Sequence, residues 1–141
     1  KIFLAIRCRA GWNEMRWDDI YYSSAKSTNQ VELEFPYAGG SNFSVSLSKN
    51  GKTKKTYVYI VILKGQIIGD SVSIKIDDGN VKSYSISDPR NYDPTLRFIT
   101  YNVPLYKSLK QAKSFIIEVS IYWYGRYQFK FSSSEFKNEN M

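Results

Sequence analysis

The sequence predicts an all-β (mainly β) domain: an antiparallel β-sandwich of about 8–10 strands with one short α-helix near residues 103–113. Three observations carry this. Apolar and polar residues alternate with a period of two in successive segments between Val31 and Phe131, the pattern of strands with one buried face. Tyr, Ile, Val and Ser dominate the middle of the chain while alanine is scarce, which favours strands over helices. Asn50-Gly51 and Asp78-Gly79 fall between alternating runs, where tight hairpins need residues that tolerate positive φ. A sandwich is preferred to a barrel because the alternation is clean, giving each strand one inner and one outer face.

The elements follow in order. Ile2 to Ile6 reads as a strand, and Trp12 to Tyr22 as a polar-aromatic loop or edge segment. Val31, Leu33 and Phe35 alternate with Glu32 and Glu34 until Pro36 stops the run. Tyr37-Ala38-Gly39-Gly40 is expected to turn, since glycine accepts positive φ. Phe43, Val45 and Leu47 alternate with Ser44, Ser46 and Ser48, and Lys49-Asn50-Gly51-Lys52 turns the chain back. Thr56 to Leu63 is apolar on both faces, so it is expected to lie centrally in the domain. Val72, Ile74 and Ile76 alternate up to the hairpin Asp77-Asp78-Gly79-Asn80, and Val81 to Ile86 returns. Ser87 to Thr95 is a loop holding Pro89 and Pro94, followed by a short strand from Leu96 to Thr100. Asn102 is suited to cap a helix and Pro104 to its first turn. Leu105, Leu109 and Ala112 then fall on one stripe, with an expected end near Lys113. Phe115 to Tyr124 is a long strand with Phe115, Ile117, Val119, Ile121 and Trp123 on the inner face. Gly125-Arg126 turns it, and Tyr127, Phe129 and Phe131 alternate on the return.

The 141 residues suffice for one domain, expected over 1–136, with 137–141 a flexible C-terminal tail. With 43% hydrophobic and 16% aromatic residues, a core can form and disorder is excluded. No segment approaches the ~18 apolar residues of a membrane-spanning helix. Lys1 is not an initiator Met, so a processed or trimmed chain is expected, and any export signal would already have been removed from it. Cys8 is the only cysteine, so no internal disulfide forms. Its neighbours Ile6-Arg7 do not suit a lipid-acceptor site.

The chain has no histidine. That removes the commonest general base, the usual Ser or Cys triads and the common zinc ligand sets. Arg7 and Arg9 flank Cys8, but in a strand they point to the opposite face, so a structural thiol is expected. Asp18-Asp19 and Asp77-Asp78 are neighbours in sequence, whereas acid–base work needs carboxylates facing each other across about 5–9 Å. Asp77-Asp78-Gly79-Asn80 lacks the ligand alternation and distal Glu of a calcium loop. Gly39-Gly40 is not followed by the Lys-Ser/Thr of a phosphate loop. No catalytic residue, metal or cofactor is expected, and the chain is read as not an enzyme.

Two features suggest contact surfaces. The net charge is +7, and Lys49, Lys52, Lys54, Lys55 and Lys64 lie in a stretch free of acidic residues from Lys49 to Gly69. Such a hairpin suits phosphates or acidic lipids, or it merely protects a sheet edge. Tyr122, Trp123, Tyr124, Arg126 and Tyr127 crowd the last hairpin, where aromatics with Arg stack on bases, sugars or partner side chains, or simply pack across strands. With Trp123 facing the core, Tyr122 and Tyr124 are expected to face outward. The candidate binding residues are Lys52, Lys54, Lys55, Tyr122, Tyr124 and Arg126.

Phe35-Pro36-Tyr37-Ala38-Gly39-Gly40, Lys64-Gly65-Gln66, Ser73-Ile74-Lys75-Ile76-Asp77-Asp78-Gly79 and Leu109-Lys110-Gln111-Ala112-Lys113 occur in that order, before a closing strand pair and a Ser-rich stop. Over about Trp17 to Phe136 this resembles a group of bacterial exported or lipoprotein-type domains. More distantly it is similar to the invasion-associated locus B family and to the type VI secretion accessory protein TagO/VasI. The resemblance implies a β-sandwich with one helix before the last two strands, at the cell envelope or in the periplasm, without known catalysis. Relatives often carry a cysteine pair after the Lys-Gly-Gln motif, and Ile67 to Ser71 has none.

The expected function is therefore that of a non-catalytic exported cell-envelope binding or assembly-accessory module, its partner a protein or envelope component. The alternative is a nucleic-acid- or anionic-surface-binding β domain using the basic hairpin, with a cytoplasmic location possible in that case.

Overall fold

Period-two patterning becomes an antiparallel ladder in which nearly every segment finds its neighbour. A computed structural model describes residues 5–9, 12–17, 20–34, 39–89, 91–100 and 102–132, with side chains described from residue 20 onward. The strands are β1 (Ala5–Arg9), β2 (Trp12–Trp17), β3 (Ile20–Lys26), β4 (Val31–Leu33), β5 (Gly39–Ser41), β6 (Phe43–Asn50), β7 (Thr56–Ile62), β8 (Ile67–Ile76), β9 (Lys82–Ser87), β10 (Leu96–Ile99), β11 (Ser114–Ile121) and β12 (Gly125–Ser132). One helix, α1 (Val103–Gln111), precedes the last two strands. Ten strands form one sheet in the order β1-β2-β3-β6-β7-β10-β9-β8-β11-β12, and β4 pairs with β5. The all-β expectation holds. The twelve described strands exceed the expected number partly because Trp12 to Tyr22, read as a loop or edge, supplies β2 and the start of β3.

The sheet rolls over so that its last strand returns to β3. The segment after β3 meets β12 edge to edge: Thr28 N donates to Lys130 O at 2.8 Å. Asn29 brackets the same stretch, its Nδ2 donating to Gln128 O at 2.9 Å and its Oδ1 accepting from Lys130 N at 2.7 Å. An asparagine side chain offers one donor and one acceptor, so it stands in for a strand partner at this seam. The inner faces of β6, β7, β8, β11 and β12 then share one core. Phe43 of β6 stacks on Phe129 of β12 with centroids 4.8 Å apart, and Phe131 stacks on Phe115 of β11 at 4.7 Å.

Helix α1 packs against β7. Its first turn follows from Asn102, whose Oδ1 accepts from Leu105 N at 2.9 Å, and from Pro104, whose missing N–H is one of the helix's unpaired donors anyway. Leu105, Tyr106, Leu109 and Ala112 are buried, as the stripe requires. The helix closes at Gln111, short of Lys113, because Ala112 is already extended. Burial pushes the Tyr106 phenol up to about 12, so it stays protonated at neutral pH. Among the described residues no helix is long and apolar enough to cross a membrane.

Several local expectations need correction. The run Thr56 to Leu63 is central as expected, β7 standing between β6 and β10, but only one of its apolar faces is buried: Thr56, Val58, Ile60 and Ile62 are buried, while Tyr57, Tyr59 and Val61 point outward, partly exposed. Gly39 and Gly40 lie in β5, not in a turn. Both hairpins form, but the glycines do not supply the left-handed residue. Asn50 Oδ1 accepts from Lys52 N and Thr53 N at 2.9 and 3.1 Å, and the positive φ falls on Lys54. In the second hairpin it falls on Asp77, whose Oδ1 accepts from Lys113 N and Ser114 N at 3.0 Å. Ile2 to Leu4, Phe35 to Ala38 and the tail from residue 133 lie outside the described residues.

Candidate functional site

Trp123 does not face the core. Ile121 pairs with Gly125, leaving Tyr122-Trp123-Tyr124 as the hairpin tip, and Tyr124 N donates to Ile121 O at 2.9 Å to close a four-residue turn. Trp123 sits third in that turn at φ 72 and is 73% exposed. A turn with positive φ at its third residue calls for glycine, and a bulky residue there is an outlier. Alternation does not carry through to Trp123 because the strand ends at Ile121 and the turn reverses the chain.

The tip is held from below. Tyr122 N donates to Gln66 O at 3.0 Å. Tyr124 Oη accepts from Glu34 N at 2.8 Å and donates to Glu34 O at 3.3 Å, and its ring packs against the core. Tyr124 is therefore an anchor and not a contact residue. Tyr122 is exposed and stacks on Trp123, centroids 5.2 Å apart and planes 25° from parallel.

The same end of the domain gathers further apolar side chains. β7 stops at Ile62, β8 begins at Ile67 opposite Ile121, and β10 begins at Leu96 opposite Val61. Residues 63–66 and 91–95 therefore flank the tip, with Ile67 N donating to Pro94 O at 2.9 Å. Leu63 and Tyr92 project from them, exposed, with Ile68 alongside at the start of β8. Tyr92 is 76% exposed and also left-handed, φ 54. Sequence reasoning missed Leu63, Tyr92 and the outward Trp123. The usable signals were a tyrosine between Pro89 and Pro94, and an aromatic tripeptide immediately before a glycine.

Arg126 is engaged elsewhere. Its Nε donates to Glu118 Oε2 at 2.7 Å and its Nη2 to Ser73 Oγ at 3.3 Å, on the outer face of β8, β11 and β12. The Arg126 hydrogen bond is the main reason the Glu118 carboxyl is held below the usual glutamate range.

The basic hairpin lies at the opposite end, where Lys49 pairs with Thr56. Lys52, Lys54 and Lys55 are exposed there. Lys110 of α1 joins them: its pKa is lowered, first by burial and then by the charge of Lys49. The six residues singled out from sequence thus divide between two ends, and no single site contains them.

Among the described residues, no group of three His, Cys, Asp or Glu side chains is placed to hold a metal ion. Cys8 falls in β1, whose side chains lie outside the described set. Comparison with protein-family models, with curated proteins and with solved structures finds no match.

Proposed function

We propose that this chain is a non-catalytic binding module that engages a protein partner through the aromatic end formed by Tyr122, Trp123, Tyr92 and Leu63. The observation that carries this is the backbone of Trp123 and Tyr92. Of the four described non-glycine residues with positive φ, two are aromatic, and both are exposed at this end. Left-handed backbone costs a bulky residue about 1–3 kcal/mol and persists where function needs it. Exposed Trp and Tyr are the side chains that anchor interfaces. A surface position filled only for folding would hold glycine.

Placement at a bacterial cell envelope belongs to the same proposal and rests on the order of the short motifs. The Trp123→Gly variant tests the surface. It is expected to raise the unfolding free energy by about 1 kcal/mol, because glycine relieves the turn, and to abolish recovery of the partner. The measurement pairs urea unfolding with capture from a periplasmic fraction, wild type against variant. A variant that recovers the same partner as wild type, or a protein found only in the cytosol, overturns the proposal.

The basic end favours a second reading, an anionic-surface or nucleic-acid contact. The supporting observation is that Lys110 lies close enough to Lys49 for their charges to repel, so hairpin and helix present one positive field. Changing Lys52, Lys54 and Lys55 together to Glu is then expected to remove salt-sensitive binding to DNA, RNA or anionic vesicles. Log affinity in the wild type should fall linearly with log salt. Full affinity in the triple variant sinks this reading.

A further inference from the structure

On the outer face of β6, β7, β10 and β9 the described residues include no charged side chain. Register fixes which residues share that face: Ser48 pairs with Tyr57, Ser46 with Tyr59, Tyr59 with Phe98, and Phe98 with Ser87. The outward positions of β6 are Ser44, Ser46, Ser48 and, at its end, Asn50, and those of β9 are Ser83, Ser85 and Ser87. Between these strands stand the rings of Tyr57, Tyr59 and Phe98. In a chain with 20 basic and 13 acidic residues, a neutral face four strands wide is a marked departure.

The face is also concave. A cavity of about 590 Å³ is lined by Tyr57, Tyr59, Ser87, Phe98, Ile99 and Thr100, within the range of small-molecule sites. Its walls are fixed. Tyr59 meets Phe98 edge to face, with centroids 4.9 Å apart and planes at 86°. The Tyr59 hydroxyl shares a 2.9 Å hydrogen bond with Ser48 Oγ. Burial raises the Tyr59 pKa, so the phenol remains a neutral donor and acceptor.

The lining selects its ligand by exclusion. A charged ligand would shed water and meet no counter-charge. A hydrocarbon would offer no partner to the hydroxyls of Ser87 and Thr100. A neutral, polyhydroxylated ring satisfies both: its C–H face lies against an aromatic ring while its hydroxyls exchange hydrogen bonds with serine, threonine and tyrosine. We propose that this groove is a binding site for a neutral glycan, a second site independent of the aromatic end.

The test is calorimetric titration of the whole chain with three neutral oligosaccharides: maltohexaose, cellohexaose and the hexamer of N-acetylglucosamine. At least one is expected to bind with a Kd below about 1 mM, insensitive to salt. Phe98→Ala and the more exposed Tyr57→Ala are each expected to weaken it about tenfold, the loss typical of removing one stacking ring. Trp123→Gly should leave it unchanged, which keeps this result separate from the partner-capture experiment. Circular dichroism confirms that each variant is folded, and Tyr57→Ala serves if Phe98→Ala is not. No binding by any of the three, unchanged affinity in a folded Tyr57→Ala variant, or preference for an acidic polysaccharide overturns the proposal.

Discussion

Replacing Phe129 by alanine is expected to lower the unfolding free energy by about 3–5 kcal/mol. Phe129 is fully buried and makes the closest ring contact across the roll of the sheet, stacked on Phe43 at 4.8 Å with planes 15° apart. It also touches Tyr127 at 5.0 Å. Truncation removes the transfer free energy of a ring and leaves a cavity where β12 faces β6, between walls made of sheet, which collapse poorly. Domains of this kind are stable by only about 5–15 kcal/mol, so the loss is a large share. With a urea dependence of about 1–3 kcal/mol/M, the midpoint should fall by about 1 M or more. Phe129→Leu keeps most of the volume and loses the stacking, so about 1–2 kcal/mol is expected. A loss below about 1 kcal/mol in the alanine variant would mean that the hydrogen bonds of Asn29 and Thr28, not the rings, hold the seam.

Much of this architecture was legible because it depends on local rules. Alternation places Phe43, Val45 and Leu47 on one face of their strand and Phe115, Ile117, Val119 and Ile121 on one face of theirs, and all seven are buried. The helix could be located because Asn102, Pro104 and the stripe Leu105, Leu109, Ala112 agree with one another. What was not legible depends on contacts far apart in sequence. The seam joins Asn29 to Lys130 through a side chain, which no periodicity signals. Hydrophobicity cannot tell a Tyr that packs inward from one that lines an outer groove, so the outward direction of Tyr57 and Tyr59 is not legible in their run. The same ambiguity placed Trp123 in the core. The bulge at β8, where Glu118 pairs with Ser73 but Ser120 with Ile68, shifts the register within one continuous strand, and Gly69 at φ +91 is its only trace in the sequence. The polar groups that make Tyr124 and Arg126 candidates are used within the fold, on Glu34 and on Glu118.

Gly65→Val is expected to destabilise by about 3 kcal/mol or more, through two additive causes. Gly65 has φ +97, a conformation that a β-branched residue avoids. It is also buried: a Cβ there would stand 3.3 Å from Leu33 Cδ1, 3.6 Å from Ile121 Cγ2 and 3.7 Å from Ile62 Cδ1, so the further methyls of valine must displace three core side chains. Gly125 separates the causes. Its φ is +72, yet nothing lies within 4 Å of the position of its Cβ, so Gly125→Ala should show strain alone, about 1 kcal/mol. If the two substitutions cost the same, crowding contributes nothing at Gly65. The neighbour of Gly65 adds a second readout. Gln66 O accepts from Tyr122 N, so moving this loop pulls on the floor of the aromatic tip. In Gly65→Val molecules that still fold, the Tyr122 and Trp123 amide resonances should shift, whereas in Phe129→Leu they should stay in place. One buried glycine would then set both the stability of the fold and the geometry of the surface proposed for its partner.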